Sequence, residues 1–133
     1  MLRWNRTLAA SVDEVEAFCL AVRRGLKDRG SASDVFAAEL VLREVLANAV
    51  EHGARFDAGQ TIAVDVSVTG GTLKARVSDQ GRGFTAQPSP DDGERGRGLR
   101  ILDRYAAAYA FEDGGRTVAF ELPLHGLSEG SKE

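Results

Sequence analysis

The chain has 133 residues, which bounds it to one domain with enough length for a real core. Hydrophobic residues make up 43% and charged residues 28%, ordinary proportions for a globular protein. A formal net charge of −3 excludes a strong electrostatic pull toward nucleic acid, and Arg95, Arg97 and Arg100 form only a local basic cluster.

Leu2 to Leu8 reads as a short strand. Ser11-Val12-Asp13-Glu14 has the form of a capping box. The helix it opens carries Val15, Phe18, Cys19, Val22 and Leu26 on one side, and Gly30 is expected to close it. Cys19 is the only cysteine, so no internal disulfide can form, and its apolar neighbours mark a buried structural thiol. A second helix opens at Ser31 to Asp34 and continues through Leu40, Leu42, Val45, Leu46, Ala49 and Val50 at helical spacing. Glu44, Asn48 and His52 stand at i, i+4 and i+8 along one face of it, and Gly53 is expected to end it, with His52 as a cap. A carboxylate one turn from a carboxamide fills a core badly. It is well suited to holding a hard cation beside a proton acceptor.

Thr61 to Val68 alternates Ile62, Val64, Val66 and Val68, a half-buried strand, and Gly70-Gly71 makes a hairpin turn. Leu73, Ala75 and Val77 alternate again and lead to Asp79. Gln80 to Arg97 is rich in glycine, proline, serine and acids, a composition typical of a functional loop. Gly98 to Ala108 reads as a helix. Tyr109 to Glu112 and Arg116 to Leu122 are strands flanking an Asp113-Gly114-Gly115 turn, and Ser128 to Glu133 reads as a frayed tail. This order predicts an α+β chain: a mostly antiparallel sheet with helices on one face. No apolar run is long enough to span a bilayer, and Met1 to Asn5 shows no signal-peptide core, so the cytoplasm is the expected compartment.

Two glycine segments carry further chemistry. In Asp79-Gln80-Gly81-Arg82-Gly83 the glycines let backbone turn tightly against a flat ligand, and a sheltered aspartate can accept a hydrogen bond from an exocyclic amine such as adenine's. In Gly96-Arg97-Gly98-Leu99, glycines precede a helix whose free N–H groups favour phosphate oxygens. A P-loop is excluded by the missing lysine, and a dinucleotide fingerprint by the missing βαβ unit.

Helix Glu-x-x-x-Asn, strand Asp-x-Gly-x-Gly, then a loop and Gly-x-Gly into a helix, in that order, closely resembles the N, G1 and G2 boxes of the GHKL ATPase superfamily, which includes gyrase and the histidine kinases. The resemblance spans nearly all of 1–133, one domain. Chain length, the Asn48–Gly53 wording and the short lid look most like the stand-alone anti-sigma-factor serine kinases, which form the two-layer Bergerat α/β sandwich.

The resemblance implies ATP and Mg²⁺ as cofactors. Glu44 would be the general base and Asn48 the metal ligand. Asp79 would meet the adenine amine, with Gly81 and Gly83 shaping the pocket and Thr117 supporting adenine through water. Phe84 to Arg95 would form the lid, and Gly96, Arg97, Gly98 and the helix opening at Leu99 would meet the phosphates. Arg95 and Arg97 stand where the family often has a hydroxyl residue or methionine. The implied substrate is a serine of a STAS-type anti-anti-sigma protein, the implied partner a sigma factor, and the implied assembly a homodimer, with neither nucleic acid nor membrane involved. Alternatives are a nucleotide-binding switch without catalysis and an activator of a phosphatase or cyclase.

Overall fold

The computed structural model describes residues 2–27, 30–53, 59–79, 100–112 and 116–124. Its strands are β1 (Leu2–Ala9), β2 (Thr61–Thr69), β3 (Thr72–Asp79), β4 (Ala108–Glu112) and β5 (Thr117–Pro123). They form one sheet in the order β1-β2-β3-β5-β4, and all four pairings are antiparallel. The mixed, mostly antiparallel sheet expected from the sequence is therefore antiparallel throughout among the described residues. Besides two long helices, α1 (Val12–Leu26) and α2 (Ala32–Asn48), the described residues include a short α3 over 100–105 ahead of β4.

Period-two alternation builds the inner face of the sheet. The register sets Trp4 opposite Val66, Val66 opposite Ala75, and Ala75 opposite Phe120, so these side chains share one face. Against it, α1 contributes Val15, Phe18, Cys19, Val22 and Leu26, and α2 contributes Ala38, Val41, Leu42, Val45 and Leu46, all buried. The opposite face is polar, with ion pairs such as Arg3–Asp65 at 3.0 Å and Arg76–Glu112 at 2.7 Å. The result is the two-layer α/β sandwich that the element order predicts.

Local chemistry sets the ends of the elements. Gly70 and Gly71 take φ of 60° and 81°, which makes the tight β2–β3 hairpin. Ser11 caps α1 by accepting from the Glu14 N–H at 3.2 Å. Its own N–H donates to the Ala9 carbonyl at 2.8 Å, so the expected reciprocal box does not close there. A complete capping box forms instead at α2, where the Ser31 hydroxyl accepts from the Asp34 N–H and the Asp34 carboxylate accepts from the Ser31 N–H.

Three boundaries differ from expectation. Helix α1 stops at Leu26 with Lys27 as C-cap, so Gly30 does not close it; it borders the Asp34 side chain of the next cap. Helix α2 does not run regularly to Gly53. After Asn48 it continues as a π-helical turn, Ala49–Gly53. Helix α3 gives way before Ala108, because the Ala107 N–H bonds the Glu121 carbonyl and Ala108 pairs with Glu121 in the sheet.

Candidate nucleotide site

Four polar or charged residues are buried among the described residues: Asp34, Asn48, Asp79 and Thr117. Burying such groups costs free energy unless hydrogen bonds or function compensate. Asp34 is explained by its capping box. The other three are residues that the sequence singles out for binding.

Asn48 is the last residue of α2 and only 9% exposed. Glu44 lies one turn earlier and is half-buried. The π-helical turn after Asn48 packs against β3, and α2 itself touches β3. This irregular turn begins directly after Asn48, and π-turns inside α-helices recur at functional sites. Next to Glu44, Arg43 anchors α2 to α1. Its guanidinium donates to both carboxylate oxygens of Glu16, at 2.8 and 3.0 Å, and to Glu39 at 3.0 Å. The Arg43 bond holds the Glu16 carboxyl below the usual carboxylate range, and the same pairing raises Arg43. The helix carrying Glu44 and Asn48 is thereby fixed against its neighbour.

Asp79 ends β3. The alternation that buries Val77 also places Asp79 on the helix-covered face, opposite Ile62 of β2, at 5% exposure. Its N–H donates to the Arg116 carbonyl at 2.9 Å. Thr117 pairs with Ser78, and their hydroxyls bond at 2.8 Å. Ser78, Asp79, Arg116 and Thr117 line one open cleft of about 410 Å³. Sequence reasoning missed Ser78 and Arg116 as members of this cleft. Alternation shows the face on which Ser78 lies, but its partner depends on the β3–β5 register, which no local pattern encodes.

The expected contributions of Gly81, Gly83, Arg95, Gly96, Arg97, Gly98 and Leu99, together with the lid from Phe84 to Arg95, lie outside the described residues, as do the His52 side chain and the Asp113–Gly115 turn. No group of three or more His, Cys, Asp or Glu suited to a metal occurs among the described residues. Asn48 offers a single carboxamide oxygen, which suits a hard cation such as Mg²⁺ that takes its remaining ligands from phosphates and water and does not suit a metal caged by protein alone.

A sheet covered on one face by two helices, with a buried aspartate at a strand end and a buried asparagine at a helix end, is a two-layer α/β sandwich. The profile of the histidine kinase-like ATPase domain matches residues 8–122, and the chain belongs to that family. It is accordingly a GHKL-type ATP-binding domain. No curated protein matches the chain closely enough to narrow this further. No helix among the described residues is long and apolar enough to cross a membrane.

Proposed function

We propose that the protein is an ATP- and Mg²⁺-dependent protein serine kinase that acts on a STAS-type anti-anti-sigma protein and exchanges that partner for a sigma factor. The observation that supports this reading is the burial of Asn48, Asp79 and Thr117, with Glu44 left half-exposed one turn from Asn48. A group that only held nucleotide would not require Glu44. A half-exposed carboxylate can reach the hydroxyl of a docked protein substrate.

In this reading the Asp79 carboxylate accepts the adenine amine at the inner end of β3. Asn48 would hold Mg²⁺ through its carboxamide oxygen. The cation, when bound, neutralises phosphate charge. Glu44 takes the hydroxyl proton as the serine oxygen attacks the γ-phosphorus and the bond to the ADP oxygen breaks. Phosphoryl transfer needs mainly positioning and charge neutralisation, so this short set suffices. The phosphate added to the serine brings about two negative charges to the partner interface and drives the exchange.

The test is transfer from γ-labelled ATP, with Mg²⁺, to any STAS-type proteins encoded in the same genome. The expected result is label on a serine, abolished by Asn48→Ala. Glu44→Gln is expected to slow transfer about 10²–10⁴-fold while ATP still binds. Transfer by Glu44→Gln at the native rate would overturn the assignment of the base. Tight ATP binding with no transfer to any of these proteins would contradict the kinase reading.

A further inference from the structure

The helix layer carries a groove at the end opposite Asn48 that nucleotide chemistry does not use. It lies where the last turns of α1 meet the first turns of α2, and it encloses about 650 Å³. Leu20 and Val35 are half-buried along it. Phe36 stands at its side with 61% exposure, the most exposed large hydrophobic residue among those described. Arg23, Arg24 and Lys27 border it from α1. Among the described residues the only acid of the lining is Glu39, which is already held by Arg23 at 3.5 Å and by Arg43 at 3.0 Å. Arg24 and Lys27 have no ion-pair partner among the described residues.

We propose that this groove docks an acidic segment of a partner protein, with Asp and Glu side chains facing Arg24 and Lys27 and a large apolar side chain inserted against Phe36, Leu20 and Val35. Charge complementarity selects this occupant. The groove is locally positive on a chain of net charge −3, so an acidic partner is drawn to this face and repelled elsewhere. The same net charge disfavours nucleic acid. A concave apolar floor receives an inserted side chain, which a flat lipid surface does not supply. Phe36 has the attributes of a binding anchor: large, rigid, and bordered by polar groups that can shield it once covered.

Phe36 precedes Asn48 by twelve residues along α2, so the groove lies about 18 Å from that end of the helix. Docking and nucleotide binding can therefore be separated experimentally, and the inference does not depend on the kinase reading.

The probe is a fluorescein-labelled synthetic peptide rich in Glu with two Leu anchors. A counterpart with Lys in place of Glu, and another with Ser in place of Leu, serve as comparisons. Anisotropy titration of the full chain is expected to show binding of the acidic anchored peptide alone. Phe36→Ser and Lys27→Glu are each expected to weaken it about tenfold, and Phe36→Leu to restore most of the affinity. ATP binding, read by calorimetry, should be the same in all variants. Equal binding of the acidic and Lys peptides, or no loss in Phe36→Ser, would overturn the proposal. So would the absence of peptide binding, whether Phe36 proves instead to mediate self-association in sedimentation or binding to phosphatidylserine vesicles.

Discussion

Cys19 has no exposed surface, and burial pushes its thiol up to about 11. Two outcomes follow at this residue. Alkylation by iodoacetamide at pH 8 should be at least about a hundredfold slower in the folded protein than in urea, since the thiolate is the reactive form. Because the folded pKa lies above the unfolded value of about 8.5, the thiol's contribution to stability is complete below that value and is lost as pH rises toward 11. Urea midpoints should therefore fall more between pH 8 and 10.5 in the native protein than in Cys19→Ala. A parallel fall in both would contradict a buried thiol. Asn48 and Asp79 stand out by the spacing of their motifs and Thr117 only by the family resemblance, and all three are buried. Ser78 was not legible, because its bond to Thr117 joins residues 39 positions apart and exists only once the strands are in register.

Elements were read more completely than their ends. Apolar periodicity located both long helices and β2 and β3, a short extended-looking run gave β1, and the Asp113-Gly114-Gly115 turn signal gave β4 and β5, because the sheet has one covered face and each helix one buried stripe. Boundaries escaped where tertiary contacts outweighed local signals. Ser11 gives its N–H to Ala9, and Ala107 and Ala108 are captured by Glu121. The π-helical turn after Asn48 has no signature in the spacing. Gly25 illustrates what packing demands of an element: a Cβ there would clash with Cζ2 of Trp4, so the indole packs directly on the helix backbone. Gly25→Ala should destabilise the fold by about 1–3 kcal/mol despite alanine's better helix propensity. A chemical denaturation midpoint equal to or above the native one would show that Trp4 can move aside. Ser31→Ala, which removes the complete capping box of α2, should cost about 1 kcal/mol in the same measurement.

For the whole molecule, the order of motifs carried more than any one of them. Asp-x-Gly-x-Gly alone is a common turn, and Gly-x-Gly before a helix is often only a hinge. In sequence with Glu44 and Asn48 they pointed to the family that the match over residues 8–122 establishes. The fold brings these distant segments toward one strand. Helix α2 ends beside β3, β3 ends at Asp79, and antiparallel pairing brings Thr117 to the same cleft. Partner identity is not legible at this scale, because surfaces that recognise proteins follow no fixed period. The central claim is that Asp79 anchors ATP at the inner end of β3, and calorimetric titration of ATP with Mg²⁺ into the native chain and Asp79→Asn tests it most directly. The account predicts clear binding by the native chain and a loss of about 2 kcal/mol or more in the variant, whose carboxamide leaves an unpaired buried group facing adenine. Equal affinity of the two proteins for ATP would contradict it.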